Sequence, residues 1–165
     1  MIDIKQIIID VTSGLYEATG TPSVKVESPD SKPPYPFYAY NVNIPYQPQP
    51  GYAIQTNKDI IKDEENYIET LHQEQATITL SITAYSKDVD DANEKAINAK
   101  EWFNYTGIDY LYSKGIIVQE VMHIENRDTT IVTEYERRRG FDVILAVPSE
   151  SKTTVETIEK VEINE

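Results

Sequence analysis

The side chains able to act as catalysts or metal ligands are few in this chain. His72 and His123 are the only histidines, and neither lies in an HExxH or HxH spacing. Ser13 precedes a glycine but lacks the GxSxG context of a hydrolase nucleophile, and no glycine-rich phosphate-binding motif occurs. The chain has no cysteine, so thiolate chemistry, disulfides and zinc–cysteine sites are excluded. We therefore expect no catalytic residue, no cofactor and no metal, and we predict that the protein is not an enzyme.

Two acidic stretches invite a cation-binding interpretation. The stretch that starts at Asp88 begins like a calcium loop, but Ala92 and Asn93 stand where a ligand and a glycine are required. A helix N-terminus capped by Asp88 explains it better. The second stretch, residues 63–65, is either a carboxylate cluster or a solvated loop face; it consists of Asp63, Glu64 and Glu65.

Three consecutive arginines run directly into an apolar stretch at residues 137–139. The chain has only 15 Lys and Arg against 28 Asp and Glu, so this triplet is unusual here. Arginine pairs bidentately with carboxylates, and on a strand the three side chains alternate between faces. They either pair weakly with nearby acids of the same chain, such as Glu134, Glu136 and Asp142, or bind an adjacent subunit. We predict a subunit interface that includes Arg137, Arg138, Arg139, Glu134 and Asp142.

Tyrosine accounts for 12 of the 16 aromatic residues. Several tyrosines lie around proline-rich segments, and tyrosine is enriched at protein interfaces. Packing at a half-buried sheet edge is the alternative explanation. We add Tyr46 and Tyr52 to the predicted subunit interface.

The composition describes a single acidic domain, residues 1–165. A net charge of −13 and a pI near 4.5 argue against a DNA-binding surface and against anionic membranes. The N-terminal residues 1–5 contain an acid where a signal peptide needs positive charge, and the apolar run Ile7–Ile9 is too short to span a membrane.

Hydrophobic periodicity predicts two helices, a short helical turn and several strands. The helices are expected over Asp3–Ala18 and Val89–Tyr105, with Gly107 as the stop and a helical turn at Asp109–Tyr112. The expected strands are Val24–Glu27, Phe37–Ile44, Gln75–Tyr85, Ile116–Ile124, Ile131–Val147 and Thr153–Ile163. Pro45–Gly51 is expected to be a loop, Pro148–Ser151 a turn, residues 52–73 a long loop or excursion, and residues 153–165 a terminal strand or arm. This order predicts an α+β fold, a mostly antiparallel sheet with two helices packed on one face.

Four pieces of the sequence form a set that spans nearly the whole chain. The first is the opening helix that closes with Glu17–Gly20, and the second is the proline-rich passage into Tyr35–Tyr38. The third is Gln75–Ser86 with the helix that follows it, and the fourth joins the strand entry Gly115–Val118 to Tyr135–Asp142. Together they resemble the tail-terminator, or neck-terminator, proteins of tailed bacteriophages. The Glu–Arg–Arg strand with its later aspartate is the most specific piece.

The resemblance implies a structural protein that assembles as a ring, commonly a hexamer, in the tail or neck of the virion. The ring would cap the tail tube, join it to the head-completion or connector protein, and leave a channel through which DNA passes without specific binding. We expect assembly in the host cytoplasm and no membrane contact. Asp63, Glu64 and Glu65 are expected to face the channel, where acids repel phosphates, and residues 153–163 are expected to lengthen the sheet of a neighbour. Two alternatives remain: another connector or tube subunit, or a binding module or small hydrolase unrelated to phage.

Overall fold

The first helix forms where its periodicity and caps predict it. A computed structural model of the chain describes residues 2–27, 32–51, 53–62, 65–129 and 135–157, and for Glu65 it describes the backbone alone. Helix α1 spans Ile4–Thr19, and the Asp3 carboxylate caps it by accepting a hydrogen bond from the Gln6 backbone N–H at 3.0 Å. The helix ends at Gly20, whose φ of 68° is a left-handed conformation that glycine adopts without strain.

The second helical region is nearly continuous. Helix α2 spans Val89–Glu101, and Asp88 caps it by accepting from the Asp91 backbone N–H at 3.0 Å. A π-helical turn, Trp102–Thr106, follows directly, and helix α3 spans Ile108–Ser113. The predicted helix therefore has the right extent, but its last turn widens. Asp88 acts as the N-cap, and Asp90 and Asp91 lie in the first turn of the helix instead of in a calcium loop.

The sheet is built around two very long antiparallel strands. The strands are β1 (Ser23–Lys25), β2 (Phe37–Pro48), β3 (Ile54–Lys62), β4 (Glu65–Ser86), β5 (Ile117–Val121), β6 (Glu125–Asn126) and β7 (Arg137–Glu156). The spatial order is β1–β2–β4–β7–β5, with β3 paired to β4 and β6 paired to β7. Strands β4 and β7, of 22 and 20 residues, pair without a register shift along their whole common length. Only β1 pairs in parallel, with β2.

One face of the sheet buries its side chains against the helices. The inward residues of β4 and β7 alternate with outward ones, as a period of two requires. Together with α1, α2 and α3 they form the core, whose fully buried large side chains include Leu15, Ile78, Leu80, Phe103, Leu111, Phe141 and Leu145. The predicted α+β architecture, with helices on one side of a mostly antiparallel sheet, is confirmed.

Strands continue through three predicted connections. Strand β2 extends through Pro45 to Pro48, with register shifts between Val42 and Gln47, so only the end of the predicted loop at Pro45–Gly51 lies outside a strand. The stretch 52–73, predicted as a long loop or excursion, contains the paired strands β3 and the first part of β4 among its described residues. The predicted turn at residues 148–151 lies inside β7, so β7 replaces two expected strands. Residues 131–134 and 158–163, which were expected to lie in strands, are outside the described part of the chain.

Candidate functional site

Glu136 is a buried carboxylate at the start of β7. Its side chain is 1% exposed, and three groups from different parts of the chain surround it. Arg138 donates from Nε at 2.7 Å and Nη2 lies 2.6 Å away, while Lys32 Nζ and the Tyr35 hydroxyl donate to the other oxygen. Such a pair is stable only with this degree of compensation, because an unpaired buried charge costs several kcal/mol.

The hydrogen bonds around Glu136 decide its charge state. Burial by itself raises the pKa of the Glu136 carboxyl, but the bonds from Lys32, Tyr35 and Arg138 outweigh burial and hold that pKa below its ordinary value. Burial by itself lowers the pKa of the Lys32 ammonium, but its hydrogen bonds to Glu136 and Tyr35 outweigh burial and raise that pKa above the ordinary value. Both groups are therefore charged at neutral pH, and the cluster is an ion pair.

A ladder of stacked rings lies beside this ion pair. Tyr35 stacks on Phe37 with ring centroids 5.5 Å apart, and Phe37 stacks on Tyr85 at 4.9 Å. The guanidinium of Arg138 covers the outer face of the Tyr85 ring at 4.8 Å, a cation–π contact. Arg138 is thus fixed by a carboxylate and by an aromatic face at once, which gives it a single orientation.

The other two arginines of the triplet converge on Asp128. Arg139 Nη1 lies 2.7 Å from one carboxylate oxygen, and Arg137 Nη1 lies 3.3 Å from the other. The backbone N–H of Arg138 also donates to Asp128 at 2.6 Å. Burial raises the pKa of Asp128, but these bonds lower it below the ordinary value. Arg139 also donates to Asn93 of α2 at 3.0 Å, so Arg138 and Arg139 lie on opposite faces of the sheet, as predicted.

Arg127 lies across the sheet face that is turned away from the helices. Its Nη1 donates to Ser81 at 2.6 Å and to Thr83 at 3.1 Å, and its Nη2 pairs with Asp142 at 3.0 Å. The side chain passes over Gly140, where a Cβ atom would come within 2.9 Å of Arg127. This face is therefore hydroxylated and polar, in contrast to the helical face.

A three-stranded ribbon extends beyond the core. We define the β-arm as β3 together with residues 65–74 of β4 and 149–156 of β7. At roughly 3.3 Å per residue it extends about 30 Å. None of its described side chains is buried, and Ile54, Ile61 and Val155 are 61%, 78% and 58% exposed. A small sheet with no buried face is marginal by itself, so packing of side chains within the arm contributes little to its stability.

Both long edges of the β-arm lack a strand partner within the described chain. On one side the outer edge of β3 is open, and on the other β5 pairs with β7 only as far as Ala146. Thr157 donates its backbone N–H to Asn66 at 2.9 Å, so odd-numbered residues of β7 bond to β4 and even-numbered residues turn their N–H groups outward. Each edge therefore presents a row of backbone donors and acceptors.

The predicted interface residues occupy two distant regions. Arg137, Arg138, Arg139 and Asp142 lie at the start of β7, and each pairs with an acid or a base of the same chain. Tyr46 lies in β2 near the root of the β-arm, is 45% exposed, and donates its hydroxyl to Glu74. Their role between subunits stays a prediction. Glu134, Tyr52, Asp63 and Glu64 lie outside the described residues, and Glu65 is described only as the first residue of β4.

Lys32, Asp128 and Arg127 are the partners that sequence reasoning missed. Lys32 and Glu136 are 104 positions apart, and no local pattern joins them. Arg127 carried a usable signal, because the alternating hydroxyls of β4 form a polar sheet face that requires hydrogen-bonding partners. In the described part of the chain no three His, Asp or Glu side chains are grouped to bind a metal. No described helix has both the length and the apolar character of a membrane span.

Comparison of the sequence with known protein families gives a match. The model of the family described as phage neck terminator protein matches residues 3–165, which is nearly the whole chain. The chain belongs to the phage neck terminator protein family. A neck terminator is a structural component of the phage tail or neck and interacts with other tail or head proteins. None of the curated proteins matches the chain significantly.

Proposed function

We propose that this neck terminator assembles as a ring, a hexamer, that caps the tail tube and joins it to the head-completion or connector protein. The ring leaves a channel through which DNA passes without specific binding. Assembly takes place in the host cytoplasm, and the protein performs no catalysis. The observation that carries the proposal is the β-arm, an exposed ribbon with open edges and no core of its own.

The two edges of the β-arm favour a ring over a simple pair. They lie on opposite sides of the ribbon, so joining β3 of one copy to β7 of the next is a heterologous contact. Heterologous contacts generate closed rings when the rotation between copies closes. An edge-to-edge contact also satisfies the outward backbone groups of both copies, and the neighbour covers apolar side chains such as Ile61 and Val155.

The rest of the sheet edge is less suited to such pairing. Pro45 and Pro48 lie in β2, and proline has no N–H to donate. Two register shifts around Ile44 further disturb the edge. Strand pairing between copies therefore takes place at the β-arm. It joins residues 54–62 of one copy to residues 149–156 of the next.

The polar sheet face suits the wall of a DNA channel. Its Thr79 and Thr83 are nearly buried, and its cation Arg127, which donates to Ser81 and Thr83, is already neutralised by Asp142. Six copies at −13 each would carry −78, and unpaired acids near the channel repel phosphates over a Debye length of about 8–10 Å. DNA would pass such a wall without adhering. The channel-facing role of Asp63, Glu64 and Glu65 remains part of this proposal.

The ring is tested by removing one outward donor from the arm edge. Even-numbered residues of β4 bond to β7 in the β-arm, as the bond from Thr157 to Asn66 shows. Odd-numbered residues of β4 therefore bond to β3, so Asn57, which lies opposite Thr70, directs its N–H group outward. Asn57→Pro removes one such donor without removing a bond to β4, and Asn57→Ala is the matched control. We expect the proline variant to stay folded but to lose ring formation and tube capping in sedimentation and electron microscopy, while the alanine variant keeps both. Unchanged rings in the folded proline variant would refute the edge contact.

A further inference from the structure

A second feature of the molecule lies at the end of the sheet opposite the β-arm. A cavity of about 440 Å³ opens between β1, the start of β2 and the segment at Lys32 and Pro33. Its walls include Tyr85 and Arg138 from the aromatic ladder described above. The cavity is therefore bounded by ladder residues on one side and by β1 on the other.

The cavity gathers positive charge in a strongly acidic protein. Lys25, Lys32 and Arg138 line it together with one exposed acid, Glu27. Glu136 neutralises one of the two charges of Lys32 and Arg138, so an excess of one positive charge remains. Glu136 uses only the Nε side of the Arg138 guanidinium, and arginine has five N–H donors, so the Nη1 hydrogens remain outside that pair. Lys25 is exposed and makes no ion pair with any described residue. These donors are suited to a carboxylate.

The cavity also has an apolar floor and an unused polar atom. Val24, Phe37 and Ala39 contribute the floor. Ser23 lines the same cavity, and its buried hydroxyl has no hydrogen-bond partner among the described residues. A ligand with alternating carboxylate and apolar groups would match the cations and the apolar floor of the cavity.

We propose that this cavity binds residues 158–165 of a second copy of the chain. That segment reads Ile–Glu–Lys–Val–Glu–Ile–Asn–Glu, with acids at Glu159, Glu162 and Glu165 between apolar residues. The carboxylates bind Lys25, Lys32 and the free side of Arg138, and the apolar side chains lie on the cavity floor.

Geometry requires that the segment come from another copy. Strand β7 begins beside the cavity at Arg138 and runs without a register shift to Glu156 at the tip of the β-arm. At roughly 3.3 Å per residue those 18 steps separate cavity and tip by about 60 Å. Eight extended residues reach at most about 28 Å, so the segment cannot return to the cavity of its own chain. Contact between cavity and segment therefore links two copies, and it adds to the β-arm contact without depending on it.

Binding is measured with a fluorescein-labelled peptide of residues 157–165 and the full-length protein. We expect the anisotropy to rise on binding, and a peptide with Gln at positions 159, 162 and 165 to bind at least roughly fivefold more weakly. Lys25→Glu should weaken binding of the native peptide by a similar factor. Lys5→Glu, an equally exposed lysine on α1, is the matched control and should have no effect. No binding at millimolar peptide, or equal binding by both peptides, overturns the proposal.

The absence of cysteine allows a second readout. In the presence of an added thiol oxidant, a mixture of the Lys25→Cys and Glu162→Cys variants, one carrying a mass tag, should form a mixed disulfide faster than a mixture of Lys5→Cys and Glu162→Cys. Equal rates would count against the site. A labelled duplex oligonucleotide tested alongside the peptide identifies the competing ligand class. If the oligonucleotide binds in a Lys25-dependent manner and the peptide does not, the cavity binds phosphates and the proposal is wrong.

Discussion

Replacing Glu136 by Gln tests whether the buried ion pair stabilises the fold. The substitution keeps the shape of the side chain and one carbonyl acceptor but removes the negative charge. Arg138, whose side chain is 22% exposed, and Lys32, which is 46% exposed, then lose their common counter-ion. Removing one partner of a fully buried pair costs about 3–5 kcal/mol. Because Lys32 reaches solvent, its share is screened, and we expect a loss of about 2–3 kcal/mol.

Thermal unfolding measured by circular dichroism gives the value directly. For a domain of this size each kcal/mol shifts the Tm by about 2–4 °C, so the expected decrease is about 4–12 °C. Glu125→Gln is the control, because Glu125 is 66% exposed and lies 3.6 Å from Arg127. An exposed pair of that kind contributes at most about 1 kcal/mol. Equal Tm shifts in the two variants would refute the claim that burial makes the Glu136 pair important.

Three further predictions follow from the same contacts. Gly14→Ala should lower the Tm by several degrees in a melting experiment, because its Cβ would come within 2.3 Å of the Tyr110 ring; an unchanged Tm would mean that this ring shifts freely. Stability should fall on acidification, because Glu136 and Asp128 have folded pKa values below their ordinary 4.5 and 3.8, so their contribution is complete above about pH 5.5 and is lost as the pH falls through the folded values. Urea titrations from pH 7 to pH 3 check this, and a flat profile would contradict it. Arg127→Met should cost about 1–2 kcal/mol in the same titrations, because it leaves the carboxylate and hydroxyls beneath it unpaired, and no loss would show that water replaces it.

The helices were predictable because their determinants are local. Asp3 and Asp88 are N-caps with the expected backbone bonds, and Gly20 ends α1 as its position indicates. The clean alternation from Gln75 to Tyr85 likewise predicted the C-terminal half of β4. In these segments one face is buried in the core, so apolar residues recur in the sequence at the spacing of a helix or a strand.

The β-arm was not predictable by the same reasoning. Its strands have no buried face, so residues 54–62 and 65–74 show no regular apolar period. Pro148 was misinterpreted as a turn signal. Pro148 lies opposite Gln75 at an even position of β7, where a backbone N–H would point away from β4 and towards no described strand. A proline at this position therefore removes no hydrogen bond between strands.

The arginine triplet shows the limit of a motif without its partners. Alternation of Arg138 and Arg139 between faces followed from strand geometry. That Asp128 is the common partner of Arg137 and Arg139 could not be predicted, because it depends on the position of residues 127 and 128 beside β7. All three arginines form ion pairs within their own chain. They can contribute to a subunit interface only through the N–H donors that these ion pairs leave free.

Electron microscopy of purified tail tubes mixed with this protein tests the central claim most directly. The account predicts one closed ring at a single end of each tube, with a mass near six times 18.8 kDa, about 113 kDa, and no further growth of capped tubes. A protein that stays monomeric and binds no tube end, or one that polymerises into open fibres, would contradict it.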